Sequence, residues 1–179
     1  CYEIKNDRKL ALKNYKKALD LYPKFSEAIN NIANCYNQSG LYSKAINFYN
    51  KAVNRIEKIN VNHWDLLYSR GIALERSFAE LSRKLGYEVS TTPTTGDGGI
   101  DLILRQSSQK IIVQCKGQAG HVGVGIAREL FGVLMDSDAD RAVLVAPNGW
   151  TQGVEDFCAG KNIRLYSAKE LAEQSKKLS

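Results

Sequence analysis

The sequence is poor in the residues that build disulfide and zinc scaffolds. It has four cysteines, Cys1, Cys35, Cys115 and Cys158, and no C-x-x-C pair. No histidines accompany them at zinc-finger spacing, so neither a disulfide framework nor a zinc site is signalled, and the thiols are expected to be buried and free. His121 stands in the glycine-rich stretch His121-Val122-Gly123-Val124-Gly125 without a second ligand at suitable spacing, and reads as a loop histidine. No apolar run approaches the roughly 18 to 20 residues that a bilayer requires. The N-terminus also lacks the basic-then-apolar order of a signal peptide. The chain is therefore read as cytoplasmic, without a membrane partner. Its first residue is Cys rather than Met, which reads as a fragment with an upstream region out of view.

What is present is ordinary for a globular protein: 44% apolar and 25% charged residues over 179 positions, enough for one large domain or two small ones. The net charge of +6 is unevenly placed. Residues 1–60 hold eleven Lys/Arg against five Asp/Glu, whereas residues 61–179 hold fourteen of each. Global charge therefore gives the C-terminal two-thirds no pull toward nucleic acid.

Shifted by 34 residues the chain matches itself: Ala11 meets Ala45, Tyr15 meets Tyr49, Lys17 meets Lys51 and Ala18 meets Ala52. Small residues seven apart let two helices approach closely, and the aromatic between them fills the groove. Helices are expected near 9–21, 26–38 and 42–57, separated by Tyr22-Pro23 and Ser39-Gly40. The segment resembles tetratricopeptide repeats, with Ala11, Tyr15, Ala18 and Pro23 fitting one repeat. Ile29, Ile32, Ala33, Tyr36, Gly40, Ala45, Tyr49 and Ala52 fit the next. Such repeats bury their faces only against neighbours, so the array is expected to be truncated or capped by the following helix.

From Trp64 to Leu85 the apolar spacing stays helical, as one long helix or two hinged near Gly71, and it stops at Gly86. The period then changes. Tyr87–Thr92, Ile100–Leu104 and Lys110–Cys115 read as strands, the latter two forming a hairpin about Ser107-Ser108. A helix near 122–136, a strand at 142–146, a helix near 151–159, a strand at 162–166 and a helix near 168–177 follow. The expected fold is α/β: an all-α repeat arm over residues 1–60, then an α/β/α sandwich with a mixed sheet over residues 61–179.

Chemistry concentrates at one place. Asp101 opens a strand behind the turn Gly96-Asp97-Gly98-Gly99, and Gln114-Cys115-Lys116 ends its hairpin partner. Gln114 and Lys116 share a strand face, and the hairpin is expected to bring Asp101 roughly opposite Lys116. A carboxylate, an amide and an ammonium buried together are costly unless they pair or hold a metal. Oxygen ligands from Asp101 and Gln114 suit a hard cation such as Mg²⁺, and Lys116 beside it suits an attacking water and charge developing on phosphorus. A structural ion pair between Asp101 and Lys116 is the simpler reading of those two residues alone.

The ordered set Leu74-Glu75, Leu85-Gly86-Tyr87-Glu88-Val89, Gly96-Asp97-Gly98-Gly99-Ile100-Asp101-Leu102, Val113-Gln114-Cys115-Lys116, Arg128-Glu129-Leu130-Phe131-Gly132 and Ile163-Arg164-Leu165 resembles the catalytic domain of Mrr-type restriction endonucleases, within the PD-(D/E)xK nuclease superfamily. The resemblance implies metal-dependent cleavage of DNA, with Asp101 and Gln114 as metal ligands, Lys116 as catalytic lysine and Glu75 completing the metal shell. It implies Mg²⁺, or Mn²⁺ in its place, as cofactor. Most of the superfamily has Glu or Asp at the position of Gln114, and Gly117 follows the lysine where a basic or aromatic residue is common. Asp97 and Arg128 are secondary candidates, which otherwise read as a turn residue and as half of a surface ion pair. Expected partners are double-stranded DNA, a protein bound by the repeat arm, and a second copy of the chain. Two other functions remain open: a nuclease fold that binds nucleic acid without cutting, or serves as a scaffold, and a structure-specific nuclease for junctions or RNA.

Overall fold

The structure, a computed structural model, describes residues 2–23, 25–54, 64–92, 99–118 and 120–177. It comprises two compact units divided between Ala73 and Leu74.

The first unit is helical: α1 (Tyr2–Leu21), α2 (Ser26–Gln38), α3 (Tyr42–Val53) and the first part of α4 (Trp64–Lys84). Helix α1 begins earlier than the repeat spacing suggested. The last expected turn of α3, at 55–57, lies outside the described residues. Helix α2 packs against both α1 and α3. Its buried residues, Ala28, Ile29, Ile32 and Ala33, recur at helical spacing, as do Ala45, Ile46, Tyr49, Ala52 and Val53 on α3. Ala33, Ala45 and Ala52 are fully buried, as close helix approach demands. The Tyr49 hydroxyl donates to Asn34 Oδ1 at 2.6 Å. Gly40, at φ +74°, lets the chain leave α2, and the Leu41 N–H returns to the Tyr36 carbonyl at 2.9 Å.

Helix α4 is continuous through Gly71 and ends in the same way: Gly86 takes φ +86° and the Tyr87 N–H donates to the Ser82 carbonyl at 3.0 Å. The second unit holds β1 (Glu88–Thr91), β2 (Leu102–Gln106), β3 (Gln109–Cys115), α5 (Val124–Asp136), β4 (Arg141–Ala146), α6 (Gln152–Cys158), β5 (Ile163–Ser167) and α7 (Ala168–Lys177). The strands form one mixed sheet in the order β1-β2-β3-β4-β5, antiparallel from β1 to β3 and parallel from β3 to β5. One face carries Ile112, Ala142, Leu144 and Ile163 against Ala127, Leu130 and Leu134 of α5 and Val154 and Cys158 of α6. On the other face Tyr166 of β5 meets Phe78 of α4 edge to face, ring centres 5.7 Å apart. The α/β/α sandwich with a mixed sheet is thus the observed architecture. No described helix is long and apolar enough to cross a membrane.

One expectation is corrected. The hairpin pairs Gln106 with Gln109 and Leu102 with Val113, a two-residue loop at Ser107-Ser108. Asp101, just before Leu102, therefore lies near Val113 and not opposite Lys116, three residues beyond Val113. The ladder ends there: the Asp101 N–H donates to the Val113 carbonyl at 2.8 Å, so Asp101 and Leu102 both meet Val113.

Candidate active site

The end of β3 is apolar except for its last polar pair. Val113, Gln114 and Cys115 are all buried, Gln114 at 2% exposure. Alternation along the strand gives Gln114 the face of Ile112 and Cys115 the face of Val113. Asp101, immediately before β2, extends its carboxylate within the sheet, where Oδ2 accepts the Cys115 N–H at 2.6 Å. Such a charge-assisted bond fixes the carboxylate at the mouth of the hairpin.

Gln114 is held just as firmly. Its Nε2 donates to the Gly99 carbonyl at 2.8 Å, which settles the amide's orientation, since a carbonyl partner needs the NH₂ end. Gly99 has φ +79°, and a Cβ there would lie 2.6 Å from Gln114 Nε2, so only glycine permits this approach. The opposite end of the amide, Oε1, is buried with no hydrogen-bond partner among the described residues. Leaving such an acceptor unsatisfied costs about 1–3 kcal/mol.

Glu75 reaches the same place from α4. Burial pushes its carboxyl above the usual carboxylate range, the charge of Asp101 pushes it further, and Arg76 offsets part of the rise. The Cys115 thiol is pushed well up by burial, by Asp101 and by Glu75, against a lowering by Lys116. It is thereby kept neutral and is no nucleophile. Lys116, half-buried just beyond β3, is anchored by its N–H to the Val145 carbonyl of β4 at 2.8 Å.

The structure therefore brings Asp101, Gln114, Glu75 and Lys116 together at one end of the sheet. Arg128 is exposed on α5 with its guanidinium 5.8 Å from the Phe157 ring, and no described interaction joins it to the other four. Asp97 lies outside the described residues. The sequence reading missed two features: the Asp101–Cys115 main-chain bond, and Gly99 as the seat of Gln114. The positive φ of the second could have been suspected from the Gly98-Gly99 pair.

The donor chemistry fits a hard divalent cation. Two carboxylates that repel one another and an unsatisfied amide oxygen are all oxygen ligands, and a divalent charge would answer both costs. Among the described residues no group of three or more His, Cys, Asp or Glu is placed to hold a metal, so the set depends on the amide of Gln114.

A mixed sheet between helical layers, with an acid, an amide and a lysine at the mouth of its hairpin, is the arrangement of restriction-endonuclease-like nucleases. The chain belongs to the restriction endonuclease family, in its Mrr catalytic form, whose model matches residues 69–174. The tetratricopeptide repeat model matches residues 5–67. No curated protein matches the sequence. Among solved structures, the crystal structure of a protein of unknown function, AF1548, is similar at 13% identity and a TM-score of 0.47. The similarity covers 57% of this chain and 66% of that one, so this chain spans just under two-thirds of that protein's length.

Proposed function

We propose that the chain is a metal-dependent endonuclease that hydrolyses phosphodiester bonds of double-stranded DNA, with the helical repeats as a protein-binding arm. The observation that carries this reading is the buried, unsatisfied Oε1 of Gln114 next in sequence to Cys115, whose N–H holds the Asp101 carboxylate, which in turn raises the carboxyl of Glu75. Asp101, Gln114 and Glu75 would hold Mg²⁺ or Mn²⁺, which when bound supplies Lewis-acid polarisation of the scissile phosphate. Asp101 keeps its geometry through the Cys115 N–H, and Gln114 keeps its own through the Gly99 carbonyl, so the ligand oxygens need little reorganisation. The Lys116 ammonium orients the attacking water and offsets charge as the new P–O bond forms and the bond to the leaving sugar oxygen breaks. The arm is proposed to bind protein because a helical repeat array presents an extended surface and the charge excess lies there.

The test is incubation of purified protein with supercoiled plasmid, linear duplex and RNA, with Mg²⁺, with Mn²⁺ and with EDTA. Cleavage of DNA that needs the metal and is lost in Lys116→Ala is expected. Cleavage of RNA alone would move the substrate to RNA, and binding without cleavage under any metal would replace the catalytic reading with a binding module.

A further inference from the structure

The second unit has a cavity of about 470 Å³ on the α4 face of the sheet, running from the starts of β3, β4 and β5, with Arg141 and Ile163, to Tyr166. Ile111 lines the cavity, and Lys116 lies five residues further along β3. At ~3.3 Å per residue, Ile111 and its β4 neighbour Arg141 lie roughly 16 Å along the strands from Lys116. The floor is apolar and aromatic, made by Phe78, Leu104, Val143 and Tyr166. Over it stand Arg141 and Arg164, and no acidic residue lines the cavity.

Cations above a dry floor would ordinarily be answered by carboxylates, and here the nearby carboxylates are engaged elsewhere. Glu170 accepts from the Ser167 N–H at 2.7 Å, Glu80 pairs with Lys84 and Glu173 pairs with Lys169. Neither Arg141 nor Arg164 has an ion-pair partner among the described residues. The third cation on the lining, Lys161, is turned away: its Nζ stands 4.4 Å from the Phe157 ring, which belongs to the core on the other face. Arg164 is held along the floor, its guanidinium 5.3 Å from the Tyr166 ring centre.

The geometry points to a second ligand site, distinct from the nuclease centre, that takes a nucleoside monophosphate: the base lies on the apolar and aromatic floor, and the phosphate is bridged by Arg141 and Arg164. A planar guanidinium fork matches phosphate oxygens two at a time. The volume lies within the range of roughly 300–1,000 Å³ usual for small-ligand sites, so one nucleotide fits where a duplex does not. The same nucleotide chemistry has two sources, a free mononucleotide or the terminal nucleotide of a strand, and a volume that holds one nucleotide favours the free molecule.

Isothermal titration of the full chain with AMP, GMP, CMP and UMP tests the proposal, with adenosine and inorganic phosphate as half-ligands and a 5′-phosphorylated dinucleotide as the strand-end arm. At least one mononucleotide should bind more tightly than adenosine and than phosphate, and the dinucleotide more weakly. Loss of the charged contacts in the double variant Arg141→Ala/Arg164→Ala should weaken binding by about 10-fold or more. Both arginines are exposed, so the variant should melt with the wild type. Lys116→Ala should bind like the wild type, because the sites are separate. The proposal is overturned if no mononucleotide binds, if the double variant binds equally well, or if Lys116→Ala loses binding. Tighter binding of the dinucleotide would reassign the pocket to a strand end. None of these readouts depends on DNA cleavage.

Discussion

Both units bury amide oxygens without hydrogen-bond partners among the described residues, yet the two situations differ. In the helical arm these are Oδ1 of Asn30, Asn37 and Asn50. Asn30 and Asn50 are half-buried and Asn37 is 9% exposed, and none is among the groups that shift Glu75. In the nuclease unit Gln114 is 2% exposed, its other end is committed to Gly99, and the next residue, Cys115, holds Asp101, whose charge raises the carboxyl of Glu75. An unsatisfied amide alone is a feature of packing. One fixed at its far end, on a strand whose next residue bonds a carboxylate, is the one proposed above as a ligand.

The sharpest way to break this comparison is to remove the charges that distinguish the second unit. Asp101→Ala should abolish cleavage and weaken metal binding, because it deletes an anionic ligand needed before and during the reaction. Lys116→Ala should lower turnover by on the order of 10²- to 10³-fold while leaving duplex binding nearly intact, since its charge matters chiefly in the transition state. Gel assays of cleavage beside filter binding separate the two. Equal losses of binding in both variants would remove the distinction drawn between ligand and catalytic residue.

A smaller effect is expected at Gly99. Gly99→Ala places a methyl 2.6 Å from Gln114 Nε2 on a backbone at φ +79°, so Gln114 must shift. The left-handed conformation alone costs roughly 1–2 kcal/mol in an alanine, and cleavage should fall with the displaced amide. A variant with normal melting and normal cleavage would mean that the Gly99–Gln114 contact does not set the ligand.

Gln114→Glu sharpens the comparison from the other side. The new carboxylate cannot donate to the Gly99 carbonyl and adds a third negative charge. The metal-free protein should therefore melt earlier, and Mg²⁺ should raise its Tm more than it raises that of the wild type. Some cleavage should be retained. Identical Mg²⁺-dependent shifts for both proteins would remove Gln114 from the ligand set.

In the arm the expected effects concern stability alone. Ala45 is fully buried where helices approach, so Ala45→Leu should overpack the contact and lower stability by roughly 1–3 kcal/mol. DNA cleavage at temperatures below melting should be unchanged. Unaltered thermal unfolding would count against tight packing at this alanine.

How far the sequence could be read follows from the same contrast. Gly40 and Gly86 marked the ends of α2 and α4 because a left-handed exit favours glycine, and the structure gives them φ of +74° and +86°. The apolar runs of β2 to β5 were legible, as was the switch from antiparallel hairpin to parallel pairing, because β4 is apolar on both faces. The hairpin register was not. Ser107-Ser108 has neither the glycine nor the asparagine that flags a two-residue turn, although Ser107 takes φ 54°, so loop length could not be counted and Asp101 was set opposite Lys116, whereas its N–H meets the Val113 carbonyl. The start of α1 was missed because Tyr2 and Ile4 are too few apolar positions to show a period. The residues of the active site were visible by type, but the tie from Asp101 to the Cys115 N–H is a main-chain contact that no side-chain pattern announces. The cavity under Arg141 and Arg164 was equally hidden, since its lining is gathered from α4, four strands and α7.

The central claim is that Gln114, with Asp101 and Glu75, is a cation seat and that the arm's unsatisfied asparagines are not. Calorimetric titration of Mn²⁺ into the wild type, Gln114→Leu and Asn37→Leu tests it directly. The wild type and Asn37→Leu should each bind the ion with matching affinity, and Gln114→Leu should bind it at least about 10-fold more weakly, as expected for loss of a direct ligand. A wild type that binds no Mn²⁺, or a Gln114→Leu variant that binds it as tightly as the wild type, would contradict the account.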